Sequence, residues 1–352
     1  MQRIANYGSF LQAYGLKKTI EELGYEVEFV DYDYEKPIIT SKKNEKNIIK
    51  KIISKKGIIK RLKTKIGWIK FQKKYKIFLL KHLNITDKKN LQPKNIDCLI
   101  IGSDEVFNCL QGYPVGYSRE LFGYHYEGMK VLSYAASFGF SKLELLKEYG
   151  VDREISNMLN RFEAISVRDK NSFEIVSELT TGKNIEEHLD PVIISNYTDE
   201  VEINLSNYII VYTYPGRLTE EEEKYIKAFS KKYNKKIVSL GFYQNIADLN
   251  LYVDPLEILS YFKNADYVIT DTFHGTIFSI KTNSKFCTII RDSNKNKLQD
   301  LLIKLKQEDR KVVELPDIES KYQKECDFSV TNLIMEEERK RSIEYLRNII
   351  GE

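Results

Sequence analysis

The 352 residues are more than one ordinary core accommodates, so two domains are expected, and 42% hydrophobic with 12% aromatic residues supplies their interiors. The net charge is +4; the lack of any apolar run near 18 residues and a start (Met1-Gln2-Arg3-Ile4-Ala5-Asn6) without an apolar core argue against a spanning helix and a secretory leader. Cys98, Cys109, Cys287 and Cys326 lie far apart with no Cys-x-x-Cys, which excludes a zinc-ribbon or disulfide framework and suits a reducing cytoplasm.

In chain order, Asn6-Tyr7-Gly8-Ser9 opens a helix whose apolar stripe is Phe10, Ala13, Leu16, Ile20 and Leu23, ended by Gly24. Tyr25, Val27 and Phe29 alternate with Glu26 and Glu28 and predict a strand reaching Val30-Asp31-Tyr32. A helix followed by a strand is half of a βαβ unit. Only Ile4 is available for the strand before the Asn-Tyr-Gly loop, so that strand is expected upstream of Met1.

Residues 41–82 then hold 16 Lys or Arg against one acid, Glu45, for a charge of +15; the total of +4 leaves −11 for the rest. Ile48, Ile49, Ile52, Ile53, Ile58, Ile59, Leu62, Ile66 and Ile69 recur at helical spacing, with Gly57 and Gly67 as expected breaks. Three readings compete for this segment: a helical cover with a solvated lysine face, a surface for anionic lipid or lipid-phosphate carriers, and a nucleic-acid patch. No nucleic-acid fold motif supports the last, and no nucleic-acid partner is expected.

Cys98-Leu99-Ile100-Ile101 is an apolar strand ending in Gly102-Ser103-Asp104, a loop suited to hydroxyl or phosphate contacts. Val131-Leu132-Ser133-Tyr134 repeats the pattern before Ala136-Ser137-Phe138-Gly139, and Ala164-Ile165-Ser166-Val167 stops at Arg168-Asp169. Arg168 at a strand end suits a carboxylate or phosphate, or an ion pair with its neighbour. Leu189-Asp190-Pro191 closes the first half, and 195–206 reads as a linker. A second βα series starts at Tyr208-Ile209-Ile210-Val211-Tyr212 and passes Arg217. It continues through Ile237–Leu240 to Tyr267-Val268-Ile269-Thr270, then Phe286–Ile290.

The handover after Thr270 is the stretch around which the function is read. Asp271-Thr272-Phe273-His274-Gly275-Thr276 joins a buried strand to a helix, and in open α/β sheets such carboxyl ends bind ligands beside helix N-termini worth about +0.5 charge. His274 is the acid/base candidate there, and Gly275 would let a ligand approach the backbone.

These loops, in this order, resemble the polysaccharide pyruvyl transferase family from residue 6 to about 290: Asn6-Tyr7-Gly8-Ser9, Gly102-Ser103-Asp104-Glu105-Val106-Phe107-Asn108, Ala136–Gly139, Ser166-Val167-Arg168-Asp169, Leu189-Asp190-Pro191 and Asp271–Thr276. The resemblance implies an α/β fold of two Rossmann-like domains facing a cleft, GT-B-like, with mostly parallel sheets and a basic helical insertion in the first domain. The domains are expected at 1–195 and 207–330, with a C-terminal helix over 331–352. It also implies a transferase that moves a pyruvate ketal from phosphoenolpyruvate to a sugar of a bacterial surface polysaccharide or its lipid-linked precursor, without metal or cofactor. His274 would supply a proton or balance the departing phosphate; Arg168, with Arg217 as helper, would hold carboxylate or phosphate, Gly102, Ser103, Asp104 and Ser137 would orient sugar hydroxyls, and Asn6, Tyr7, Asp271, Thr272 and Gly275 complete the substrate-binding set.

Two departures stand out. Thr272 occupies the place of an arginine that holds the donor's acidic groups in the best-understood members, and Glu105-Val106-Phe107 replaces Gln-Val-Trp. A nucleotide-sugar glycosyltransferase and a non-catalytic glycan-binding relative therefore stay open as alternatives. The expected location is the cytoplasm, with peripheral contact at the inner membrane face through 41–82.

Overall fold

The computed structural model describes residues 2–39, 55–90, 96–112, 116–126, 128–197 and 201–351. Two parallel sheets organise them. Strands β1 (Cys98–Asp104), β2 (Lys130–Ala136), β3 (Ile165–Val167) and β4 (Ile185–Glu187) form the first, in spatial order β1-β2-β3-β4. The second takes β5 (Tyr208–Tyr212), β6 (Lys236–Leu240), β7 (Leu249–Leu251), β8 (Tyr267–Thr270), β9 (Phe286–Ile289) and β10 (Lys311–Val312) in the order β10-β9-β8-β5-β6-β7. Both faces of a parallel sheet are covered by helices, so its central strands are apolar throughout rather than alternating. Every residue of β5 and β8 is buried.

The helices are α1 (Tyr7–Glu22), α2 (Lys55–Leu83), α3 (Leu143–Glu148), α4 (Asp152–Leu159), α5 (Lys170–Leu179) and α6 (Pro191–Ile194) in the first half. They continue with α7 (Glu220–Lys232), α8 (Ile258–Lys263), α9 (Phe273–Lys281), α10 (Lys295–Lys304), α11 (Asp317–Gln323) and α12 (Ser329–Gly351). Each sheet has an apolar cluster on its outer face. The largest cluster is shared: it joins Phe10 and Leu16 of α1, Tyr134 of β2, Ile193 of α6, Ile210 of β5, Phe278 of α9 and Leu346 of α12. Helix α12 returns to the first half, where Tyr345 Oη donates to the Ser133 carbonyl (3.0 Å) and Arg339 Nε to the Ile194 carbonyl (3.0 Å).

Three expectations are corrected. Residues 25–32 form no strand: the described backbone link of Asp31 N to the Asn90 carbonyl (2.7 Å) is a single tie, and no described strand lies alongside to build a ladder. Helix α2 is unbroken through Gly57 and Gly67. Gly67 is a close-contact residue, since a Cβ there would sit 2.5 Å from Tyr252 Oη and 2.9 Å from Tyr243 Cβ. Nor does α2 belong to the first half alone: its buried stripe, Gly67, Phe71, Tyr75, Leu79 and Leu83, recurs every four residues and packs on both α1 and the loops after β6 and β7. Phe71 meets Tyr7 (ring centroids 5.0 Å) and Tyr252 (6.1 Å), while Lys81 and His82 reach Asp254 at 2.9 and 2.8 Å. The earlier part of the basic segment, 41–54, lies outside the described residues. No described helix is long and apolar enough to cross a membrane.

Candidate active site

The carboxyl ends of β1, β5, β8 and β9 open into one cleft of about 260 Å³. Asp104 and Glu105 line it from β1, Tyr214 and Arg217 from β5, and Thr272, Phe273 and His274 from β8. Ser293, Asn294 and Lys297 follow β9, and Asn6 and Ser9 come from α1. Three of these residues are helix N-caps. Asn6 Oδ1 accepts the Gly8 N–H (2.7 Å) at the start of α1, Thr272 Oγ1 accepts the Gly275 N–H (2.9 Å) at the start of α9, and Asn294 opens α10. Three positive helix ends therefore converge on the cavity, a favourable field for an anion.

His274 stands where two of those ends meet. A Cβ on Gly8 would lie 2.2 Å from its Cγ and Nδ1, so only glycine lets α1 approach the imidazole this closely. On its other side Nε2 is 3.6 Å from Asp190 Oδ2. Asp190 caps α6 by accepting the Val192 N–H (3.0 Å), and it also takes the Arg168 Nη1 donor (2.9 Å) and the Gln12 amide. Burial would raise the Asp190 carboxyl, yet His274, Arg168 and the Val192 N–H outweigh it and hold the acid below its usual range. The imidazole thus stands at ion-pair distance from a buried carboxylate whose own position is fixed by Arg168 and the Val192 N–H.

Arg217 reaches the cavity from the other side. Its guanidinium lies over the Tyr214 ring (5.0 Å), Nη2 donates to Ser293 Oγ (2.8 Å), and Nη1 stands 3.8 Å from Asp271 Oδ1. Asp271 is fully buried, and burial keeps its carboxyl above the usual range despite Arg217 and Arg291. Arg291 forks onto Glu222, the capping-box acid of α7, at 2.7 and 2.9 Å. Across the mouth, Lys297 of α10 pairs with Glu105 of the first half at 2.6 Å. Burial would raise Glu105, but Lys297, the Asn108 amide and Arg168 bring it down to about 2, so it is ionised.

Of the residues expected from sequence, Asn6, Asp104, Arg217, Thr272 and His274 line the cleft. The others stand behind it. Tyr7 is buried with Oη donating to the Val253 carbonyl (2.8 Å), and Ser103 Oγ donates to the Ala135 carbonyl (3.0 Å). Ser137 is fully buried and donates to Asp169 Oδ2 (2.6 Å), so its hydroxyl is engaged in fixing the β2 and β3 loops rather than offered to a sugar. Gly102 lets β1 pass close to β2, since a Cβ would fall 2.0 Å from the Tyr134 carbonyl oxygen; Gly275 packs against Thr270, Thr272 and Tyr212. Arg168 is 4% exposed, with its guanidinium 4.3 Å from the Phe273 ring centre and 3.6 Å from Asp104 Oδ1. It supports the lining through Phe273 and Asp190. Asp271 likewise acts through Arg217.

Sequence reasoning did not name Asp190, Glu105, Tyr214 or Lys297 as site residues, although Glu105 stood out as a departure from the family pattern. Asp190 had a signal, an Asp-Pro at a helix start, where an N-cap acid is common. Lys297 had none, being one of several lysines in a polar helix.

No curated relative matches the sequence significantly. Among solved structures the chain is similar to the α,α-trehalose 6-phosphate synthase of Burkholderia multivorans at 7% identity, with 79% of this chain and 74% of that one covered and a TM-score of 0.42. It is also similar to a UDP-N-acetylglucosamine 2-epimerase homologue of Listeria monocytogenes at 11% identity, with 72% and 68% covered and a TM-score of 0.41. Similarity to TarM is 11% over 64% of this chain and about half (49%) of that one, with a TM-score of 0.36. The family model for polysaccharide pyruvyl transferase matches residues 6–293, from the cap of α1 to the loop after β9, and so takes in most of the segments that form the cleft. The chain belongs to the polysaccharide pyruvyl transferase family, a family of transferases.

Proposed function

We propose that the protein transfers a pyruvate ketal from phosphoenolpyruvate to a sugar of a bacterial surface polysaccharide or its lipid-linked precursor. The observation that carries this reading is the convergence of three helix N-termini, Arg217 and Lys297 on a cleft that His274 lines. In this reading the enol phosphate gains a proton at its methylene carbon, which becomes the methyl group. One sugar hydroxyl adds to C2 and gives up its proton; a second hydroxyl displaces inorganic phosphate and closes the ketal. His274, held by Asp190, moves the proton, and Arg217, Lys297 and the helix ends balance donor carboxylate and phosphate. Asn6, Ser9 and Asp104 are the groups available to sugar hydroxyls.

Thr272 caps α9, a task an arginine does not perform, and Arg217 and Lys297 supply positive charge in its neighbourhood. The same position supports a second reading. With Asp104 and Glu105 also in the lining, the cleft offers less positive charge than a trianionic donor favours, and a nucleotide-sugar dianion fits that balance.

The test is donor-dependent turnover with a glycan acceptor from envelope extracts, following inorganic phosphate from phosphoenolpyruvate and nucleoside diphosphate from nucleotide sugars. Phosphate release that disappears in His274→Ala, with ketal formation by mass, supports the first reading. Nucleoside diphosphate release alone supports the second, and turnover with neither donor supports a binding role. The reading places the work in the cytoplasm, where phosphoenolpyruvate is made; the four cysteines, all free, are compatible with that compartment.

A further inference from the structure

Helix α2 carries a second apolar face that nothing described covers. Its buried stripe faces α1 and the second half, whereas Leu62, Ile66, Ile69, Ile77 and Leu80 are 56%, 45%, 42%, 63% and 54% exposed. At 3.6 residues per turn these five fall within an arc of about 80° centred opposite Phe71 and Tyr75. Single exposed apolar residues are ordinary, but an aligned row over about five turns is not.

Charge decides what such a row meets. Lys63 and Lys70 stand on one shoulder of the stripe, Lys65 and Lys76 on the other, and Lys73 lies within it, all exposed. Lys76 also pairs with exposed Asp87 at 2.9 Å, leaving the shoulders strongly cationic in a segment of net charge +15. Two copies of this face brought together would set lysine rows against each other. A neutral protein groove would leave those charges uncompensated. An apolar stripe flanked by lysines on both sides matches the headgroup and acyl boundary of an anionic bilayer, where leucine and isoleucine enter and lysines reach phosphates.

We infer that the outer face of α2, from Leu62 to Leu80, lies in the surface of an anionic membrane. The helix is tied to the cleft by aromatic packing: Trp68 stacks on Phe242 (ring centroids 6.5 Å), and Phe242 packs on Tyr214 (5.1 Å), a cleft residue. Docking therefore holds the cleft at a fixed distance from the lipid surface, which suits an acceptor sugar carried on a lipid. That last link rests on the proposed function; the docking itself does not.

The experiment is co-sedimentation of the full chain with vesicles of phosphatidylcholine alone or with about one third phosphatidylglycerol, at about 0.1 and 0.5 M salt. Binding is expected on the phosphatidylglycerol vesicles at low salt, at least about tenfold weaker at high salt and on neutral vesicles. The triple variant Ile66→Gln/Ile69→Gln/Ile77→Gln changes only exposed side chains, so it keeps the wild-type melting temperature, and it is expected to lose binding by about tenfold or more. Lys63→Gln/Lys70→Gln/Lys73→Gln should lose the salt dependence along with affinity. Wild-type binding by the apolar variant, no vesicle binding at all, or equal binding to neutral vesicles would overturn the inference. Concentration-dependent dimerisation abolished by the apolar variant would overturn it too, by assigning the face to a second copy of the chain.

Discussion

Replacing Gly8 by alanine adds one methyl group to the second residue of α1, and the structure places that group 2.2 Å from Cγ and Nδ1 of His274 and 2.8 Å from its Cβ. Non-bonded carbon atoms settle at about 3.5–4.0 Å, so the imidazole would have to retreat by about 1.3 Å. The contact includes the root of the side chain, so a rotamer change does not relieve it and the start of α9 must shift as well. Alanine is a better helix former than glycine by about 1 kcal/mol, while overpacking costs about 1–3 kcal/mol, so the net loss of stability is at most about 2 kcal/mol. Activity is expected to respond differently. His274 would leave its place between Gly8 and Asp190, and a displacement of about 1 Å in a reacting geometry costs about 10²-fold in rate. The assay is phosphate release from phosphoenolpyruvate with acceptor, alongside thermal unfolding. Gly8→Ala should lose about two orders of magnitude in kcat/KM while its Tm moves by a few degrees. A variant with Tm and kcat/KM both like wild type would refute the idea that the α1–α9 contact sets the position of His274.

The remaining predictions concern the supports of the cleft. Asp190→Asn keeps the shape of the side chain but removes the charge shared by buried Arg168 and His274, and should cost about 3–5 kcal/mol; an unchanged urea midpoint would count against the buried pair. Glu105→Gln removes the carboxylate that neutralises Lys297, so KM for an anionic donor should fall several-fold, and an unchanged or higher KM would show that Lys297 does not meet the donor. The Glu105 acid sits at about 2 in the folded state against an ordinary value of 4.5, so its stabilisation is complete above about pH 4.5 and is lost as pH falls toward 2. At 1.36 kcal/mol per unit it amounts to about 3 kcal/mol, and Glu105→Gln should flatten the stability curve across that interval, read by chemical denaturation. Phe71→Ala empties the centre of the α2 interface and should cost about 3–5 kcal/mol; a loss under about 1 kcal/mol would mean that α2 is not seated on Tyr7 and Tyr252.

The amino-acid order alone determined the elements whose patterns are local. Tyr208–Tyr212 and Tyr267–Thr270 read as buried parallel strands because continuous apolar runs of that length have few other uses, and both are fully buried. The Phe10, Leu16 and Ile20 stripe and the terminating Gly24 marked α1 by the same logic. Strand-end position also pointed to His274, Thr272, Arg217 and Asp104, because a parallel sheet puts the ends of its strands on one edge, and the family resemblance added Asn6. What the sequence did not contain was which strand-end groups turn outward. Arg168 and Ser137 sit at equivalent loop positions, but Phe273, Asp190 and Asp169 take them inward, and those partners are up to about a hundred residues away in the chain. Residues 25–32 read as a strand yet form none, since a strand exists only where a neighbour offers a ladder. Gly8 and Gly67 looked like a loop residue and a helix break; each is a point where another segment comes too close for a Cβ. Lys297 and Glu105 meet across 192 positions of sequence, and α2 joins both halves through a stripe that periodicity reveals without saying what it faces. Local hydrophobic patterns and caps act over a few residues and are legible along the chain. The pairing of charges and the choice of which apolar face is covered are set by contacts between distant segments, and these only the tertiary structure decides.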